Sequence, residues 1–157
     1  MRPQVAHRLL RSSPMPAADV ISAPIRDFLS EGTRTGKVAW IANDGRPLAA
    51  PIWFVVDGDE LVFTTAVASA KGRAITRDPR VVLVVDLEED PYAFVQVQGE
   101  AVVSTDPGEL LEMATRIGSR YMGADRAEEF GRRNGVPGEY VVRLRPTKVI
   151  STLDVTG

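Results

Sequence analysis

Apolar residues along this chain recur in two periods, and the changes of period mark its elements. In "APIRDFLSEG" (23–32), Ile25, Phe28 and Leu29 fall at i, i+3 and i+4, which predicts a short amphipathic helix ended by Gly32. Strand-like runs follow: "KVAWIAN" (37–43), "LAAPIWFVVD" (48–57), "ELVFTT" (60–65), "RVVLVVDLE" (80–88), "YAFVQVQGEAVVS" (92–104) and "EYVVRLRPTKVIST" (139–152). Asp44-Gly45 and Asp57-Gly58 separate the first three as hairpin turns, because glycine accepts the positive φ that a tight turn requires. Asp106 reads as an N-cap for a helix over 107–121, with Pro107 at its first position and Glu109 three residues beyond the cap. A second helix is predicted near 125–134, ending at Gly135.

Several strands are apolar at both alternating positions. In 48–57 one face carries Leu48, Ala50, Ile52, Phe54 and Val56, and the other Ala49, Pro51, Trp53 and Val55. A one-sided sheet would show polar residues outward. The expectation is an antiparallel sheet closed as a barrel, with the core on one face and a partner subunit or flat ligand on the other. Pro51 cannot donate to a ladder, which predicts an edge or a bulge there.

Composition narrows the chemistry. The chain has 157 residues, suited to one domain, with a net charge of −2 that draws it to neither nucleic acid nor an anionic membrane. It has no cysteine, which removes disulfides, thiolate nucleophiles and Cys-based metal sites. The only histidine is His7, in the basic segment "MRPQVAHRLLRSSP". That segment reads as a targeting peptide, a disordered tail, or the product of an upstream start with Met15 opening the domain. Residues 1–16 are taken as a tail and 17–157 as the domain, with a cytoplasmic location.

The stretch "FTTAVASAKGRAITRDPRV" (63–81) holds the densest candidate chemistry. Ser69 reads as the N-cap of a helix carrying Lys71 and Arg73 and stopping at Asp78-Pro79. Free amides in a first helical turn, two cations, and the hydroxyls of Thr64 and Thr65 suit a phosphate. The same residues also read as a solvated basic helix with an ordinary cap. No Walker loop and no GxGxxG is present.

In order and spacing, "PIWF", "FTT", "SAKGRA" and "RDPRV" resemble the split-barrel flavin- and deazaflavin-binding proteins of the pyridoxamine 5'-phosphate oxidase-like superfamily. The resemblance covers residues 24–152 and is strongest to the actinobacterial branch of deazaflavin (coenzyme F420)-dependent reductases. It implies a mainly β (α+β) fold, a six-stranded antiparallel split barrel with short flanking helices, and a homodimer with cofactor sites at the interface. It implies coenzyme F420 as cofactor, with FMN as the alternative. Carried over by position, Lys71 and Arg73 would hold the cofactor phosphate, aided by Thr65 and Ser69, with Gly72 inside the same motif. Pro51, Ile52 and Trp53 would line the flat ring, and Tyr121 and Arg143 would reach the partner's site. The carboxy-terminal "KVISTLDVTG" lacks the tryptophan and basic set of the vitamin B6 oxidase, so B6 oxidation is not expected. Three functions follow from the resemblance: hydride transfer from reduced F420 to a conjugated small molecule, an FMN-dependent oxidoreduction, or non-catalytic binding of a flavin or tetrapyrrole. No side chain is assigned a catalytic role and no metal is expected.

Overall fold

The computed structural model describes residues 20–157. The tail expected over 1–16 and His7 lie outside the described residues. Helix α1 (Ala23–Ser30) leads into β1 (Gly36–Ile41), β2 (Pro47–Ile52), β3 (Val55–Asp57) and β4 (Glu60–Ala66). Helix α2 (Ala70–Arg77) is followed by β5 (Arg80–Leu87) and β6 (Ala93–Ser104). Helix α3 (Pro107–Met122), a 3₁₀ turn (Ala124–Arg126) and α4 (Ala127–Asn134) precede β7 (Glu139–Thr152). No helix among the described residues is long and apolar enough to cross a membrane.

The fold is mainly β, a single antiparallel sheet in the order β2-β1-β5-β6-β7-β4-β3. Seven strands stand where six were expected, because the run 48–57 breaks at Trp53-Phe54. Its first half pairs with β1 across the Asp44-Gly45 turn, and its second half pairs with β4 across the Asp57-Gly58 turn. Between β1 and β4 lie β5, β6 and β7, so one straight strand cannot serve both partners. The two halves therefore occupy opposite edges of the sheet, yet only Trp53 and Phe54 separate them in the chain. A link from Ile52 to Val55 spans at most about 10 Å. The sheet must roll until its edges meet, as in the split barrel. Pro51 sits on edge strand β2, where its missing N–H costs no ladder bond.

The inner face of the roll holds Val38, Phe54, Leu61, Phe63, Leu83, Val95, Val97, Val142 and Leu144, all fully buried. Leu29 from α1 and Ile75 from α2 pack onto this core. A second cluster forms where Leu110, Met113 and Ile117 of α3 cover Val55, Val62 and Val141. Asp106 caps α3 as expected, accepting from the Glu109 amide at 2.9 Å. The reciprocal half of a capping box is not made: the Asp106 N–H donates to Ser104 Oγ (3.1 Å), and the Glu109 carboxylate accepts from Arg143 Nε at 2.7 Å.

At the break, Phe54 has left both ladders, and its backbone groups need partners elsewhere. Two consecutive residues of α3 supply them. The Phe54 N–H donates to the Tyr121 hydroxyl (3.2 Å), and Arg120 Nη1 donates to the Phe54 carbonyl (2.7 Å). Arg120 also donates to the carbonyls of Gly32 (2.9 Å) and Leu29 (2.8 Å), and the Tyr121 hydroxyl donates to the Arg34 carbonyl (3.0 Å). The end of α1, the edge crossing and α3 are thereby tied at one point.

Removing these groups should loosen the closure. Tyr121→Phe should cost about 1–2 kcal/mol, and Arg120→Ala more, since each orphaned buried polar group costs about 1–3 kcal/mol. Urea unfolding of both single variants and the double variant should give non-additive losses, because the two side chains serve one residue. Wild-type stability in Arg120→Ala would refute the role of this tie.

Candidate functional site

The turn from β4 into α2 is built by its small residues. Ser69 accepts from the Gly72 amide (2.9 Å) and donates to the Ala66 carbonyl (2.7 Å), so its hydroxyl both caps α2 and closes the turn. The Thr65 hydroxyl, nearly buried, lies 3.4 Å from Ser69 Oγ. The amides of Ala70 and Lys71 find no acceptor among the described residues, as expected for a first helical turn. No acidic side chain occupies that turn. Gly72 faces back onto the turn: a Cβ there would stand 2.2 Å from the Ala66 carbonyl oxygen. The glycine is thus what lets α2 approach the end of β4 closely enough to present its amides there.

The other residues of the motif do not all converge. Thr64 and Thr65 alternate along β4, so Thr64 shares a face with Val62 and Val141, opposite Thr65. Lys71 and Arg73 are two residues apart on α2 and so diverge by about 160° around its axis. Arg73 is exposed. Lys71 turns inward, with Nζ 5.7 Å from the Trp40 ring centroid and 6.0 Å from that of Phe63. Burial pushes the Lys71 ammonium below its ordinary value, opposed by the nearby Glu139 carboxylate. Burial in turn pushes Glu139 up, opposed by Lys71.

The residues expected to line a ring lie at the edge crossing. Ile52 is buried in the core, and Pro51 is exposed on β2. Trp53 is 37% exposed and stacks on Tyr121, with centroids 5.0 Å apart and planes within 3°. Phe130 of α4 packs against it at 6.2 Å. One face of the indole is therefore covered by the chain itself. Burial pushes the Tyr121 phenol above its ordinary value, and its oxygen is already engaged by Phe54 and Arg34. That hydroxyl holds the fold and is not free to deliver a proton.

Arg143 stands apart from both groups. It donates to Asp57 (2.8 Å), Glu60 (3.3 Å) and Glu109 (2.7 Å). Arg116 donates to the other Asp57 oxygen and Arg145 to the other Glu60 oxygen, each at 2.9 Å. Hydrogen bonds from Arg143 and then Arg116 hold the Asp57 carboxyl below its ordinary value of 3.8. Within one chain Arg143 is the hub of a structural ion network. The sequence reading passed over Arg120 and Trp40. Arg77 lies four residues after Arg73, a spacing that places both on one helix face. No local pattern marks Arg120 or Trp40.

The chain matches the pyridoxamine 5'-phosphate oxidase family over residues 21–153. No curated protein matches it. Among solved structures, it is similar to the conserved hypothetical protein Rv2991 from Mycobacterium tuberculosis, at 26% identity over 90% of each chain, with a TM-score of 0.74. An F420 reductase is similar at 27% identity, covering 79% of this chain and 94% of the reductase, with a TM-score of 0.63. The heme storage protein HutZ from Vibrio cholerae shares the fold at 14% identity, covering 88% of this chain and 99% of HutZ, with a TM-score of 0.66.

The close approach at Gly72 is directly testable. Gly72→Ala should destabilise the protein by about 1–3 kcal/mol, the usual cost of forcing a methyl into packed backbone. Hydrogen exchange should localise the loosening to α2 and the turn before it. Full stability with unchanged protection in α2 would mean that the helix can shift without cost.

Proposed function

The chain belongs to the pyridoxamine 5'-phosphate oxidase family, and from that premise we propose that it is a flavin-type oxidoreductase whose cofactor is the deazaflavin coenzyme F420. The observation that carries the reading is the α2 N terminus: two amides without acceptors, no acid in the first turn, and a glycine that lets the helix seat closely on the turn. A phosphate fits this cradle, since amides and macrodipole both favour an anion there. Its similarity to an F420 reductase supports the deazaflavin over FMN.

When bound, the reduced cofactor supplies a hydride. The chain's own residues have three tasks. The amides of Ala70 and Lys71, with Arg73, hold the phosphate, and the inward Lys71 adds positive charge behind the turn. Trp53, braced by Tyr121 and Phe130, gives the ring region a rigid apolar wall. Pro51 and Ile52 continue that wall along the edge strand. With the Tyr121 hydroxyl engaged, a proton required by the acceptor comes from solvent. The substrate class that suits such a site is a conjugated small molecule that accepts hydride.

A homodimer completes the reading. Strand register aligns Pro51, Lys37, Val84, Gln96 and Ile150 across the outer face, beside a second row of Ala49, Ala39, Val82 and Gln98. Ile150 is 41% exposed, and a hollow of about 410 Å³ between Ala39, Ile41, Pro47 and Val82 opens on the same face. A face on which Pro51, Val84, Ile150, Ala49, Ala39 and Val82 surround Lys37, Gln96 and Gln98 favours covering by a second copy.

Purified protein mixed with F420 should co-migrate with the cofactor's absorption on gel filtration. Arg73→Ala should weaken binding by about 1.5–3 kcal/mol, the value of a charge-assisted bond. Tight FMN binding with no affinity for F420 would reject the deazaflavin assignment. Failure of Arg73→Ala to change the affinity would reject the anchor.

Sedimentation equilibrium should give a dimer at micromolar concentration, and Val84→Glu should shift it toward monomer. A wild-type monomer that binds cofactor fully would reject the interfacial site.

A further inference from the structure

Strand β3 is three residues long and pairs on one side only, with β4. Its two-residue Gly58-Asp59 turn makes Asp57 and Glu60 a hydrogen-bonded pair, and antiparallel alternation then turns the Val56 backbone groups to the open edge. Helix α3 lies along that edge. Arg120 Nη1 bonds the Phe54 carbonyl at 2.7 Å, and Arg116 Nη2 donates to the Val56 carbonyl at 3.1 Å. The spacings agree: residues i and i+4 of a helix rise about 6 Å, and alternate residues of a strand about 6.6 Å. Two arginines of α3 thus stand where a neighbouring strand would supply amides.

The other arm of the Arg116 fork is engaged as well. Nη1 donates to Asp57 Oδ1 at 2.9 Å, and the second Asp57 oxygen accepts from Arg143 at 2.8 Å. Glu112 stands one turn earlier on α3, the usual i, i+4 place for a partner, yet Arg116 pairs with Asp57 instead. Arg116 and Arg120 are themselves a like-charge i, i+4 pair, which weakens an isolated helix. Helix stability does not account for the arrangement; docking onto β3 does. One bond at Phe54 would leave α3 free to pivot, and a second at Val56, fixed by Asp57, sets its angle. Tyr121 follows Arg120 directly, and its ring stacks on Trp53 with centroids 5.0 Å apart and planes within 3°.

We propose that Arg116 is a positioning residue for the Trp53 wall: through Val56 and Asp57 it fixes the angle of α3 at which Tyr121 stacks on Trp53. That this wall serves a flat cofactor ring rests on the function proposed above. The role needs the fork, because one planar guanidinium serves a carbonyl and a carboxylate together.

The test uses the full-length chain and reads Trp53 itself. The protein has two tryptophans, so the indole N–H resonance missing from ¹⁵N-labelled Trp53→Phe is that of Trp53. Arg116→Gln should shift this resonance, because the ring current of Tyr121 then reaches it from a different place, and should leave the Trp40 resonance where it is. Asp57→Asn should shift Trp53 in the same direction, since Arg116 loses its charged partner. Glu109→Gln weakens the other charged tie of α3, to Arg143 at the start of the helix, and should leave Trp53 unmoved. F420 affinity should fall about three- to tenfold in Arg116→Gln, an ordinary coupling between neighbouring contacts, and keep its wild-type value in Glu109→Gln. An unmoved Trp53 resonance in Arg116→Gln, or in Asp57→Asn should the first variant not fold, would overturn the positioning role. An equal shift in Glu109→Gln, or of Trp40, would overturn it too, as the mark of general loosening. A shifted Trp53 with unchanged F420 affinity would overturn the link to the cofactor site. If wild-type protein does not bind F420, the preceding reading falls, and the Trp53 shifts alone decide whether Arg116 positions the wall.

Discussion

Two residues, Trp53 and Phe54, join strands at opposite edges of a seven-stranded sheet, and most of the molecule is arranged around that short link. A chain segment of this length leaves the sheet no option but to curl. It also strips Phe54 of ladder partners at a buried position, where an unpaired amide or carbonyl is costly. Arg120 and Tyr121 answer that demand together, one bonding the carbonyl and the other the amide. Because both project from α3, the helix that covers the second core cluster also sets the angle at which the edges meet. Arg120 reaches the end of α1 through Leu29 and Gly32, so the first helix is fixed by the same side chain.

The aromatic wall follows from this closure. Trp53 is held parallel to Tyr121 by the hydroxyl that bonds Phe54, and Phe130 braces it from α4. A side chain in a link between two strands would otherwise have many rotamers open to it. Here its orientation is settled by contacts within the chain, which under the proposed function would lower the entropy lost on binding a flat ring.

A similar economy governs the other end of the site. Ser69 satisfies one amide of α2 and one carbonyl of the preceding turn, and Gly72 permits the contact that seats the helix on β4. What remains open is a pair of amides with positive charge on two sides of the helix: Lys71 inward against Trp40 and Phe63, Arg73 and Arg77 outward. The protein's overall charge is slightly negative, so this positive potential is a property of one helix and its surroundings, not of the whole surface. Arg143 shows the opposite use of a cation. Three carboxylates surround it, and it serves to join β3, β4, β7 and α3.

The sequence by itself determined the elements whose causes are local. Ser69 and Asp106 cap helices because their side chains reach amides three residues on, and glycines at 45 and 58 turn hairpins through positive φ. The last strand runs over 139–152 as its pattern predicts, and the order of motifs around 50–81 carried the split-barrel resemblance. The break at Trp53-Phe54 was not legible, because an unbroken apolar run looks the same whether it pairs along one strand or crosses between two edges. Nor could Glu109 be read correctly: its spacing from Asp106 suits a capping box, but the Asp106 N–H bonds Ser104 Oγ and the Glu109 carboxylate bonds Arg143, distant in sequence. Lys71 and Arg73 looked like one cluster in the linear motif, and Thr64 and Thr65 like one pair. Helical and strand periodicity separate them in space, and the neighbours that each then meets, Trp40 and Phe63 among them, were decided only by the tertiary structure, since those contacts join residues that no local pattern connects.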